Sequence, residues 1–132
     1  FSGDYLYAQS RGRTVAVKPF IMNSHIVVGI GNIYANEALF MAGIHPKRAA
    51  GRISRKKYAL MSEVIREVLS DAIDQGGTTL RDFVNGEGKP GYFSQHLNVY
   101  GKAGEPCISC RVPIRELRQG QRATFYCPKC QK

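Results

Sequence analysis

Tryptophan is absent from the 132 residues, and cysteine occurs at four positions only, all after residue 106. Acids are scarce: 10 Asp and Glu stand against 19 Lys and Arg, for a formal charge of +9. No run of 18 apolar residues occurs, which excludes a helical membrane span. No nucleophile stands beside a base, and no pair of carboxylates has an evident task. His25, His45 and His96 are scattered and read as surface or capping residues. Phe1-Ser2-Gly3-Asp4 has neither the basic start nor the apolar stretch of a signal peptide. The chain starts without Met, in an aromatic-rich stretch (Phe1, Tyr5, Tyr7) that reads as mid-protein, so a fragment or processed product is expected.

The cysteines that are present form the pattern Cys107-x2-Cys110-x16-Cys127-x2-Cys130. Each two-residue gap makes a tight knuckle that aims two thiolates at one point. Sixteen residues between the knuckles suffice for a short antiparallel hairpin that brings them together. Four thiolates then meet as a tetrahedron, the arrangement of a closed structural Zn²⁺ site. The segment after Cys107 is too short for a hydrophobic core of its own, and a metal takes the place of that core. A secreted domain with two disulfides is the competing reading. Cysteines at metal spacing with none spare suit a reducing compartment instead.

Four thiolates and one dication would bring the charge from +9 to about +7, still strongly basic. The cations are clustered. Lys47, Arg48, Arg52, Arg55, Lys56 and Lys57 follow one another with no acid between, and Arg111, Arg115, Arg118, Arg122, Lys129 and Lys132 face a single acid, Glu116. Such clustering points to nucleic acid rather than to general surface charge.

Along the chain, residues 1–18 read as a connector entering a domain. Residues 20–45 carry two short helical patterns separated by Gly29-Ile30-Gly31-Asn32. Asn23 or Ser24 is expected to cap the first, around Ile26-Val27-Val28, and Asn32 to cap the second, from Ile33 to about Ala42, with Gly43 and Pro46 ending it. A longer helix is predicted from about Arg55 to Asp74 with Ser54 as N-cap. Its core stripe is Leu60, Met61, Val64, Ile65, Val68, Leu69, Ala72 and Ile73, and Gly76-Gly77 ends it. Residues 77–106 form a long polar, glycine-rich region. Hairpin strands are expected at Ile114–Leu117 and Arg122–Tyr126, with a turn at Gln119-Gly120-Gln121.

Three constellations bear on binding. Gly29-Ile30-Gly31-Asn32 is either a plain turn or an anion pocket built from free backbone N–H groups at a helix start. Gly77 to Tyr92 is either a surface loop or a loop that lets a ligand edge approach the backbone. The ribbon turn, flanked by Arg118 and Arg122, either carries solvated arginines or lays a bidentate fork on phosphate. Glu37 lies on an apolar-rich helix and reads as a hydrogen-bonding residue rather than an acid catalyst.

Taken together, these segments resemble the bacterial formamidopyrimidine-DNA glycosylase family. The resemblance rests on Lys18-Pro19-Phe20-Ile21-Met22, Gly29 through Phe40, Ala42-Gly43-Ile44-His45-Pro46, Gly76 through Phe83, Gly86 through Phe93, Val99-Tyr100-Gly101, Gly104-Glu105-Pro106-Cys107 and Arg122 through Cys127. It covers essentially the whole chain in order. It implies a mainly α helix–two-turn–helix domain (residues 19–101, with a lesion-recognition loop at 77–92) and a small β-hairpin zinc ribbon (102–132). Residues 1–18 would lead in from an N-terminal catalytic domain. The implied activity is that of a base-excision glycosylase and AP lyase on oxidised purines such as 8-oxoguanine and formamidopyrimidines, with the base flipped from duplex DNA.

By the same resemblance Asn32 matches a phosphate-binding asparagine, Lys18 a lysine that approaches DNA near the lesion, and Arg13 a neighbouring basic contact. Arg81 falls in the lesion loop as a further DNA contact. Arg122 matches the arginine that clamps the phosphates flanking the lesion and serves the second (δ) elimination. Cys107, Cys110, Cys127 and Cys130 match the zinc ligands. The family's Pro-Glu start, whose proline amine attacks the sugar, is not in this sequence. The chain alone is therefore expected not to excise a base. A monomer in the bacterial cytoplasm, at the nucleoid, is implied. A non-enzymatic helix-and-ribbon module, or an endonuclease VIII-like half, is the alternative.

Overall fold

The computed structural model describes residues 2–27, 29–74 and 97–132, with side chains of 71–74 excepted. The predicted loop 77–92, with Arg81, lies outside the described residues.

Ser2 starts the first helix, α1 (Gly3–Ser10), by accepting the Tyr5 backbone N–H on its hydroxyl at 3.2 Å. Residues 1–18 are thus not a connector alone. Leu6 of α1 is fully buried, and α1 packs on the long helix α4 (Arg55–Asp74). The approach is close: a Cβ on Gly3 would stand 2.4 Å from Ala59 Cα, so only glycine fits.

The next helix, α2, runs Val17–Met22, earlier than the Ile26 pattern suggested. Pro19 falls in its first turn, where a missing N–H costs nothing. Asn23 does not cap a following helix. Its side chain accepts from His25 N at 2.9 Å and its carbonyl from Ile26 N and Val27 N, folding the segment into a turn. Ile26 and Val27 are buried from that turn, so the apolar run belongs to the core without being helical.

Helix α3 spans Asn32–Ala42 with Gly31, not Asn32, as N-cap. Asn32 is inside the first turn, and its side chain is used elsewhere. Gly43 ends α3 at φ 72, as expected. Ser54 Oγ accepts Lys57 N at 3.1 Å and caps α4. Met61, Val64, Ile65 and Val68 form the buried stripe of α4; Tyr58 joins them, while Leu60 is 41% exposed and lies off it. These residues pack with Val17, Phe20, Ile21, Tyr34, Ala38 and Leu39 into one core.

The C-terminal hairpin pairs β1 (Arg115–Gln119) with β2 (Arg122–Tyr126), antiparallel, with Gln119 opposite Arg122. Only Gly120 and Gln121 make the turn, and Gly120 supplies the positive φ, 63°, that so tight a reversal needs. A second cluster lies beneath the hairpin: Phe40 of α3 meets Val99, Ile114, Phe125, Cys107 and Cys127. The four helices and two-stranded hairpin agree with the expected order of a helical unit followed by a ribbon.

Candidate nucleic-acid interface and metal centre

The two cysteine knuckles face each other. Cys107 Sγ lies 3.8 Å from Cys130 Sγ, and Cys110 Sγ lies 3.4 Å from Cys127 Sγ. All four sulfurs fall within 4.8 Å of one another. A tetrahedron with Zn–S bonds of about 2.3 Å has edges near 3.8 Å, so the sulfurs fit a zinc ion. Ser109 N and Cys130 N donate to the Cys107 and Cys127 sulfurs, the support that metal thiolates receive from knuckle amides. Burial and the neighbouring thiols push Cys130 up to about 12, a crowding that a dication relieves. Cys107, Cys110, Cys127 and Cys130 hold one structural zinc.

Beside the hairpin lies an open cleft of about 1120 Å³. Helix α2 and its approach form one wall, with Lys18, and the hairpin tip from Arg118 to Arg122 forms the other. Lys47 closes one end. Among the described residues, four cations and no acid line this cleft. Arg122 and Lys47 are exposed, and Arg118 rests its guanidinium on Gln121 O at 3.1 Å.

Lys18 is unlike the other cations. It is 1% exposed, and its Nζ donates to Thr124 Oγ1 at 2.8 Å and to Ala123 O at 3.4 Å. Burial and the Arg122 charge lower its pKa from 10.5 to about 8. Asn32 donates its Nδ2 to the same Ala123 carbonyl at 3.1 Å. Its Oδ1 is buried and has no hydrogen-bond partner among the described residues. Asn32 thus spends one amide hydrogen on the ribbon.

Arg13 is exposed, its Nε on Gln9 O at 2.8 Å, and does not line the cleft. So Lys18, Asn32 and Arg122 come together around the start of β2, and Arg13 does not.

Several buried or half-buried polar residues dock the ribbon with little in the local sequence pattern to mark them. Asn36, 1% exposed, accepts Phe125 N on Oδ1 at 2.7 Å and donates to Asn32 O at 2.8 Å. Gln119 joins Thr124 Oγ1 at 3.0 Å to Pro46 O at 3.1 Å. Gln131 joins Cys127 N at 2.8 Å to Ile44 O at 3.0 Å. The available signal was a polar residue on an apolar helix, as with Asn36 beside Glu37. Glu37 itself, 4% exposed, is the hydrogen-bonding residue its setting suggested: its carboxylate accepts N–H groups of Asn98, Val99 and Tyr100 at 2.7, 2.9 and 2.9 Å.

Comparison with known proteins adds three findings. The family described as the formamidopyrimidine-DNA glycosylase H2TH domain matches residues 1–84, and a zinc finger found in FPG and IleRS matches residues 104–132. Formamidopyrimidine-DNA glycosylases of Marinobacter nauticus and Alcanivorax borkumensis are 62% and 60% identical over all 132 residues, which cover 49% of each relative. A Lactococcus lactis Fpg in complex with abasic-site DNA superposes with TM-score 0.89 at 33% identity, over 100% of this chain and 48% of that one. The same enzyme's G226P mutant with Fapy-dG DNA gives 0.89 at 32%, with the same coverage. The chain spans about half the length of the relatives it matches.

Proposed function

The chain belongs to the formamidopyrimidine-DNA glycosylase family, and from that premise we propose that it is the DNA-binding portion of an enzyme that excises oxidised purines and cleaves the resulting abasic site. The observation that carries this reading is the cleft lined, among the described residues, by four cations and no acid, with Arg122 at the edge of a zinc-held hairpin and Lys18 behind it. A duplex seated there would meet Arg122 at its phosphates through a bidentate fork. In the intact enzyme Arg122 would also serve the δ-elimination. Asn32 keeps one amide hydrogen beyond its bond to Ala123 O, and that hydrogen would reach a phosphate. Turns at residues 24–26 and at Gly29, between α2 and α3, support a helix–two-turn–helix reading. The solved relatives were captured on abasic and Fapy-dG DNA, which supports lesion-containing duplex as the partner. Arg13 would add a DNA contact outside the cleft, and Arg81 is a further proposed contact. We place the protein in the bacterial cytoplasm as a monomer, at the nucleoid. No helix among the described residues is long and apolar enough to cross a membrane.

Binding of the zinc-loaded chain to duplex DNA across a salt series tests this. Arg122→Ala is expected to weaken binding about ten- to a hundredfold, as a charge-assisted bond of about 1.5–3 kcal/mol implies. The log–log salt slope should fall by about 0.9 for one phosphate lost. A slope that Arg122→Ala leaves unchanged would falsify the phosphate role.

A further inference from the structure

We propose that Asn36 is a positioning residue for Arg122: it sets the strand from which that arginine reaches phosphate and never touches DNA. The inference rests on the phosphate role of Arg122 proposed above. Arg122 opens β2, a five-residue strand with a single partner strand among the described residues. A lone two-stranded hairpin is marginal in water, so its place is set by what holds it from outside. Three successive residues after Arg122 are held by helix side chains. Ala123 O accepts from Asn32 and Lys18, Thr124 Oγ1 accepts from Lys18, and Phe125 N donates to Asn36. Lys18 lines the cleft and Asn32 reaches the same carbonyl, so a substitution at either would confound lost DNA contact with lost positioning.

Asn36 is separable from both. It is 1% exposed, does not line the cleft, and its Oδ1 makes the shortest of these bonds, 2.7 Å. Its amide is braced in turn by Asn32 O one turn back along α3, which fixes the orientation of the acceptor. An effect of Asn36 on DNA therefore travels through β2 or through Asn32, and only the first route vanishes when Arg122 is removed. A misplacement of about an ångström is enough to spoil a two-bond contact between a planar guanidinium and a phosphate.

A double-mutant cycle on the zinc-loaded chain tests this, with DNA affinity and salt slope as readouts and zinc content and far-UV circular dichroism as checks of folding. Asn36→Ala is expected to weaken duplex binding about tenfold and to lower the salt slope by up to about 0.9, the value for one phosphate. In an Arg122→Ala background the same substitution should change affinity by less than about twofold, because the contact it positions is gone.

Equal losses in both backgrounds would show Asn36 to be structural only and overturn the proposal, while leaving the role of Arg122 intact. No loss in either would overturn it too. If Arg122→Ala itself leaves the slope unchanged, the phosphate reading and this inference fall together. Should Asn36→Ala lose zinc, the unaltered chain decides. Coupling is reciprocal, so DNA binding must slow hydrogen exchange at the Phe125 amide, and unchanged exchange there would refute positioning.

Discussion

Replacing Lys18 by Met removes one ammonium and keeps most of the apolar stem. Lys18 is buried, and its pKa falls from 10.5 to about 8 through burial and the Arg122 charge. Between those values the unfolded chain holds a proton that the folded chain has released. Stability therefore rises with pH across that window. The cost of the buried charge is full below pH 8 and gone above 10.5. Two and a half pH units at about 1.4 kcal/mol each give about 3.5 kcal/mol as an upper bound, reduced by water that reaches the open cleft. Urea denaturation of the zinc-loaded chain and of Lys18→Met, run in steps from pH 7 to 11, isolates the term, since other lysines and tyrosines cancel in the difference. The wild type should gain on the variant by roughly 2–3 kcal/mol over the series. DNA affinity must move the other way, because a cation leaves the cleft above about pH 8. Phosphate nearby raises the pKa, so that loss sets in later in the complex. A stability difference that stays flat from pH 8 to 10.5 would refute the reasoning.

Three further perturbations test the scaffold. Glu37→Ala leaves one buried and two half-buried backbone donors of residues 98–100 without an acceptor and should cost about 3–5 kcal/mol in urea denaturation; a loss below about 1 would mean that water reaches them. Gly3→Ala drives a methyl into Ala59 and should cost about 2 kcal/mol or more, read as a lowered urea midpoint, with no change in zinc content. Stripping zinc with a chelator should abolish hydrogen-exchange protection at residues 107–132 while leaving it on α4, whose packing partners are α1 and α3; simultaneous loss on both would contradict two separate cores.

The sequence carried the metal site whole, because a ligand set with fixed two-residue gaps leaves little freedom once four thiolates share one ion. It carried α4 for a similar reason: a twenty-residue period with a serine cap outweighs any local competitor. The shorter helices were less legible. Ile26 and Val27 look like a helix core, yet Asn23 binds the backbone two residues on and bends the segment into a turn that still buries both. Val17–Met22 was obscured by Pro19, which reads as a boundary although the first turn of a helix accepts it. Asn32 has a capping residue's chemistry, but Gly31 occupies the cap and Asn32 spends its amide 91 residues away along the chain. No local pattern encodes a partner that distant. The same holds for Asn36, Gln119 and Gln131, whose roles exist only once the ribbon is folded against the helices.

How the ribbon is joined to the helical unit bears on how it works. Phe40 of α3 enters the ribbon's small core beside Val99, Ile114 and Phe125, and that contact supplies attraction without direction. Apolar surfaces of this kind tolerate sliding. Hydrogen bonds to single backbone groups do not, because each weakens steeply with angle and strands an unpaired buried group when it breaks. Ala123 O, Phe125 N, Cys127 N, Ile44 O and Pro46 O are all held this way, at positions along both β2 and the α3–α4 connection. Zinc makes the knuckles rigid, but a rigid ribbon that could shift on its base would still carry Arg122 to the wrong place. The polar docking supplies the missing constraint. The metal fixes the shape of the hairpin, and the asparagines and glutamines fix where that shape stands relative to Lys18 and the cleft.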